Sequence, residues 1–248
     1  MGILTSLVLA IAMLGTLLIV SPQGTPLRSA VRSVALPYFG QTWRVFAPTL
    51  LKSNRTLEIR AQWRDDSGEL VKSGWVSITD IEQRSVTGNT VPPINRKASW
   101  NVSDIYQQRY NALDSGQRER VRDTFIEVFE DGFRPIPVDD IIDDLGGTDA
   151  EVIRFLRMDY MLMRYVTLYA EAGFGETIER VQWRIGNARP NDFAHRFEED
   201  SQFERRVTTF GWRQSNVAIE PEVLSEYSEL IERHAAAGDF EEAADEAE

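Results

Sequence analysis

Four of the six tryptophans are followed directly by arginine, at Trp43-Arg44, Trp63-Arg64, Trp183-Arg184 and Trp212-Arg213. Neighbouring side chains on a strand point to opposite faces, so this pattern predicts tryptophan in a core and arginine on the open face of a sheet. Such a face has two readings. One is plain in–out alternation with tryptophan filling volume; the other is an arginine-lined surface, with Arg64, Arg184 and Arg213 among its residues, that receives an anionic partner or a lipid headgroup. Asp139, Asp140, Asp143 and Asp144 could gather carboxylates around a divalent cation, since i, i+4 pairs share a helix face. No EF-hand spacing accompanies them, and a solvated cluster is the plainer reading. His195 and His234 are the only histidines, and both read as structural. No nucleophile elbow, His-Glu-x-x-His, Walker loop or dinucleotide fingerprint is present. The sequence therefore nominates no catalytic, cofactor-binding or metal-ligating set, and it leans away from an enzyme.

The elements that would carry these residues follow from periodicity. Arg55 to Arg64 alternate, with Leu57, Ile59, Ala61 and Trp63 on one side and Glu58, Arg60, Gln62 and Arg64 on the other, which predicts a half-buried strand. A turn at Asp65-Asp66-Ser67-Gly68 leads to an expected partner strand over 71–81. Helical spacing predicts a helix from Ser103 to Leu113. A second is predicted from Asp114 or Ser115 to Phe129, with Val121, Phe125, Val128 and Phe129 as its stripe. Thr148 with Glu151 reads as a capping box opening the strongest helix, which runs to about Ala172. Strand patterns recur over 177–186 and 203–213, and Pro221 opens a last helix through His234. The sum is an α+β domain over 53–238: a mainly antiparallel sheet with a helical middle insertion.

Two flanking regions differ from this domain. Ile3 to Val20 carry no charge. Eighteen helical residues rise ~27 Å, close to the ~30 Å hydrocarbon thickness, so residues 1–22 are expected to form a transmembrane helix. A cleaved signal peptide is the rival, but no Lys or Arg precedes the run and Ile19-Val20-Ser21-Pro22 is a weak exit. Residues 23–52 are expected to hold a short amphipathic helix, seated in the headgroup layer or on the domain itself, and then an aromatic stretch. Residues 239–248 form an acidic tail, expected to be disordered. The net charge of -12 is unevenly spread. Residues 1–60 carry six basic and one acidic residue, residues 217–248 one basic and eleven acidic. An acidic chain is a poor ligand for nucleic acid, and with no cysteine disulfides and thiolate metal sites are excluded.

The aromatic stretch Tyr38-Phe39-Gly40-Gln41-Thr42-Trp43-Arg44-Val45-Phe46-Ala47-Pro48 resembles the Gln-x-Trp-x-x-Phe-Ala-Pro hallmark of a family of uncharacterised actinobacterial single-pass membrane proteins. Trp75-Val76-Ser77-Ile78-Thr79, Val181-Gln182-Trp183-Arg184-Ile185 and Gly211-Trp212-Arg213 are similar to later elements of that family. The family has no assigned activity, so the resemblance implies no catalytic residue. It implies a partner: an integral, multi-span membrane protein similar to vitamin-K-dependent carboxylases, with which such chains are associated. It also implies a single-pass protein of the cell membrane whose domain lies outside the cytoplasm, against the two arginines, Arg28 and Arg32, that follow the apolar run. Gln41, Trp43, Phe46 and Pro48 are then interaction residues, seating the domain on lipid or on a partner's helices. An accessory subunit is the leading expectation. A membrane-tethered enzyme or ligand carrier, using the arginine-rich face or the helix surface of Tyr160, Tyr165 and Tyr169, is the alternative.

Overall fold

A computed structural model describes residues 54–87, 98–129, 132–189, 203–215 and 217–240, with isolated positions elsewhere. The chain divides into units Met1–Leu50 and Leu51–Glu248, and the sheet with its helices belongs to the second. Most of the expected span, with Gln41, Trp43, Phe46, Pro48 and the tail from 241, lies outside the described residues. Among the described residues, no helix is long and apolar enough to cross a membrane.

The fold is α+β around a curled antiparallel sheet. Its spine is β1 (Asn54–Arg64) paired with β6 (Arg180–Ala188), in unbroken register from Asn54 opposite Ala188 to Gln62 opposite Arg180. On one face this register stacks Leu57, Ile59 and Ala61 against Val181, Trp183 and Ile185, all buried. Strands β2 (Leu70–Lys72) and β3 (Val76–Ser77) pair with the other edge of β1, while β7 (Arg206–Thr209) and β8 (Arg213–Gln214) pair with β6. Every pairing in the sheet is antiparallel.

The expected strand over 71–81 is split and ends early. Ser73 stands in for a ladder residue, its hydroxyl accepting the Ala61 N–H at 2.9 Å. Ser77 closes β3 and also caps a helix, taking the Asp80 N–H, and α1 (Ile78–Val86) follows. The capping hydroxyl satisfies an amide that a helix start leaves unpaired. Helix α2 (Ala98–Ala112) begins before Ser103, whose side chain is buried rather than capping.

The expected long helix after Asp114 is also corrected. Asp114 and Gln117 do form a reciprocal capping box, but α3 is only Ser115–Arg120. Beyond it, the Phe125 N–H donates to the Trp212 carbonyl, and β4 (Ile126–Phe129) turns back along β5 (Gly132–Pro135). The apolar stripe of Val121, Phe125, Val128 and Phe129 fits helical spacing, but tertiary partners claim this backbone first. After α4 (Val138–Asp144), the long helix α5 (Ala150–Phe174) crosses the core face. Its N-cap is Asp149, one residue after Thr148, with no side-chain cap bond. Tyr106 of α2, Phe155 of α5, Trp183 and Phe210 meet at the centre, with Tyr106 and Phe210 edge to face at 4.8 Å. Helix α6 (Pro221–His234), opened by Pro221 as expected, packs on α1 and α5.

Candidate functional site

The two faces of the sheet offer different chemistry. On the outer face, β1 and β6 place Glu58, Arg60 and Gln62 beside Arg180, Gln182 and Arg184. Arginines and rings alternate there. Arg184 lies 4.4 Å from the Trp75 ring, Arg60 lies 4.8 Å from Trp75 and 5.2 Å from Trp212, and Arg180 lies 4.9 Å from Trp212 and 4.0 Å from Phe133. A guanidinium over an aromatic face is attracted by the ring quadrupole, by about 0.5–1 kcal/mol when exposed and more when desolvated. The ladder therefore holds its cations in fixed positions.

The cations are held by neutral amides in the middle of the ladder and by a carboxylate at one end. Arg60 Nε donates to Gln182 Oε1 at 2.5 Å, and Arg180 Nε donates to Gln62 Oε1. Two diagonal arginines and two diagonal glutamines thus form a quartet across β1 and β6. At the other end Arg184 and Arg205 both pair with Glu58. Gly186 makes that possible, because a Cβ there would strike the Arg205 side chain and Thr56 Oγ1. Arg180 has its guanidinium held below the usual arginine range, first by burial, with the positive charge of Arg60 acting the same way and Glu179 opposing.

At Trp212-Arg213 the expected alternation is inverted. Thr209 pairs with Arg184 and Arg213 with Val181, so the three residues between Thr209 and Arg213 oppose only two on β6, Gln182 and Trp183. One extra residue is a β-bulge, and it moves every later side chain to the opposite face. Phe210 points into the core, Trp212 joins the outer ladder, and Arg213 is only 5% exposed. Gly211 permits the bulge: a Cβ there would overlap the backbone of Asp123 and Thr124. Arg213 is thus not on the open face.

Arg213 instead forms a buried ionic centre. Its Nε donates to Asp159 of α5 at 2.9 Å, Nη1 to the Asp123 carbonyl at 2.7 Å and Nη2 to the Val121 carbonyl at 2.8 Å. These carbonyls lie just past α3, so the guanidinium takes acceptors that a longer helix would have used. The second Asp159 oxygen accepts the Tyr106 hydroxyl at 2.7 Å. Burial, reinforced by the Asp159 charge, raises the Tyr106 hydroxyl well above its ordinary pKa, so it stays a donor.

That centre forms part of the wall of an open groove of about 820 Å³. Ile136, Val138, Ile141 and Ile142 supply one side, and Ile153, Leu156, Tyr160 and Met161 of α5 supply the other. The volume is that of a small-molecule or peptide site, and its lining is mainly apolar. Its lips are exposed for apolar residues, with Val138 at 62%, Met161 at 59% and Tyr160 at 51%. Asp159 and Arg213 already hold each other, Tyr106 and two carbonyls, so the contact the groove offers is mainly apolar.

A family model for a family of unknown function, DUF5819, matches residues 25–215. The chain belongs to that family. The matched span contains the outer ladder and the groove, and it ends before α6. Searches of curated proteins and of solved structures found no match for this DUF5819 chain.

The residues singled out by sequence are dispersed. Arg64 is at the sheet rim, paired with Glu179 at 2.9 Å; Arg184 is in the ladder; Arg213 is inside. Tyr160 is at the groove lip, whereas Tyr165 and Tyr169 turn inward and donate to buried Glu82, so they form no common surface. Asp144 pairs with Arg120 at 2.7 Å. Among the described residues, no cluster of three or more His, Asp or Glu could hold a metal ion. Arg60, Trp75 and Arg180 belong to the ladder although none of them is part of a Trp-Arg dipeptide. For the two arginines the signal was same-face spacing, Arg60 with Gln62 on β1 and Arg180 with Gln182 on β6.

Proposed function

We propose that this chain is a membrane-anchored, non-catalytic accessory subunit whose domain receives an apolar segment of an integral membrane partner. The observation that carries the reading is the open groove, with its exposed lips of Val138, Tyr160 and Met161. Exposed contiguous apolar surface is costly to leave bare in water and marks interaction sites. The uncharged run Ile3–Val20 supports an anchor, and the aromatic stretch with Gln41, Trp43, Phe46 and Pro48 supports contact with lipid or with a partner's helices. The family resemblance makes a multi-span, carboxylase-like protein of the cell membrane the first partner to test, with the domain on the extracytoplasmic side.

Purification of the full chain in mild detergent tests this. An integral membrane protein should co-migrate with it and should be lost on Met161→Asp, which places a charge at the exposed lip without touching the core. Migration as a lone monomer contradicts the proposal. A ligand carrier is the second reading, favoured by the groove volume of about 820 Å³. It predicts a small apolar molecule retained in native mass spectra of the purified chain.

A further inference from the structure

The outer face of the sheet carries charge that takes no part in the groove. Among the described residues it carries Arg60, Arg64, Arg180, Arg184 and Arg205 against Glu58 and Glu179, an excess of positive charge on a chain of net charge -12. Among the described residues Arg180 makes no ion pair; its Nε donates to the neutral Gln62 amide. The Arg60 and Arg180 guanidinium carbons lie 5.2 and 4.9 Å from the same Trp212 ring centre, so they are no more than 10.1 Å apart. The helices α1, α2 and α5 pack on the opposite face, against Leu57, Ile59, Val181 and Trp183.

We infer that this alternating face, from Arg184 and Trp75 through Arg60, Trp212 and Arg180 to Phe133, docks on anionic phospholipid headgroups. The row of guanidiniums and the rings between them argue for a lipid surface over one free phosphate. The guanidiniums form a row instead of converging on a point, so the row matches an array of phosphates. Arginine gives planar, paired donors to phosphate oxygens. The interleaved indoles of Trp75 and Trp212 supply amphipathic rings of the kind that settle at headgroup depth. The clustered cations supply attraction to an anionic leaflet, an attraction that salt screens. The inference is independent of the groove, and it needs no particular partner.

The test uses the full chain reconstituted in nanodiscs of phosphatidylcholine, with and without about 30% phosphatidylglycerol to supply an anionic leaflet. Brominated acyl chains quench the tryptophans that approach the bilayer. Quenching should rise at least about twofold with phosphatidylglycerol and fall back in about 0.5 M salt. Arg60→Gln with Arg180→Gln should abolish the rise, while Arg64→Gln should retain it. Insertion of the apolar run alone would persist in salt and in both lipids, so failure of the anchor and failure of this face are separable. Equal quenching in both lipids, or an unchanged double variant, overturns the inference. So does loss of the rise on adding millimolar inorganic phosphate at constant ionic strength, since that assigns the site to free phosphate. If the double variant does not fold, the salt and lipid dependence of the unaltered chain decides alone.

Discussion

At Trp183-Arg184 the indole is enclosed in the core and the guanidinium lies over Trp75 on the outer face; at Trp212-Arg213 the indole is outside and the guanidinium is enclosed. The two dipeptides are identical, one inside β6 and the other at the start of β8, which pairs with β6. A single extra residue beside Gly211 separates their fates. Outside, Arg184 lies half-exposed over the Trp75 ring and shares the Glu58 carboxylate with Arg205. Inside, the same side chain needs a carboxylate and two carbonyls, since an unpaired buried charge costs several kcal/mol. One face thus carries more arginines than carboxylates, and the other encloses its single cation in the fold beside an apolar groove.

Substitutions that attack this contrast should differ widely in effect. Removing the inner cation with Arg213→Met leaves Asp159 buried beside Tyr106, and should lower unfolding free energy by about 3–5 kcal/mol. Urea denaturation followed by tryptophan fluorescence measures it, and a loss below about 1 kcal/mol would place Arg213 on the surface after all. Gly211→Ala should cost about 1–3 kcal/mol, because its Cβ must displace the Asp123–Thr124 backbone. It should also weaken the stacking of Trp212, seen as a red shift of its emission. Arg64→Ala, at the outer rim, should stay within about 1 kcal/mol of the unaltered protein despite removing a salt bridge at 2.9 Å.

The pH dependence should show the same division. Burial raises the hydroxyls of Tyr106, Tyr165 and Tyr169 well above their ordinary value, with the nearby Asp159 and Glu82 carboxylates adding to it. Their neutral forms are favoured by folding, so the stability they contribute is complete below the unfolded tyrosine pKa. It is lost as pH rises beyond about 10. In an alkaline titration these three should give no tyrosinate absorbance until the chain unfolds. Smooth ionisation of all tyrosines before unfolding would contradict their burial.

The sheet was largely legible in the sequence. β1 and β6 alternate cleanly because one face is buried along their whole length, and Pro221 marked α6 by its fixed backbone angle. The rest depended on partners distant in the chain. Ser77 capped a helix inside a run whose alternation continued through it. Val121 to Phe129 kept a helical stripe, although Arg213 takes the carbonyls of Val121 and Asp123. The bulge depended on how closely Asp123 and Thr124 approach Gly211, which no local pattern encodes. The groove was hidden for a similar reason. Its walls come mainly from the segment after β5, from α4 and from α5, with Phe125, Arg213 and Gln214 completing them, and none of these is marked as a site by its own spacing.

The division of labour between the faces is tested most directly by photocrosslinking in native membranes. One benzoylphenylalanine replaces Met161 at the groove lip, and another replaces Val207 on the outer side of β7. The Met161 position should crosslink to an integral membrane protein, and the Val207 position should not. Equal protein crosslinking from both positions, or protein crosslinking from Val207 alone, would contradict the assignment of the partner to the groove.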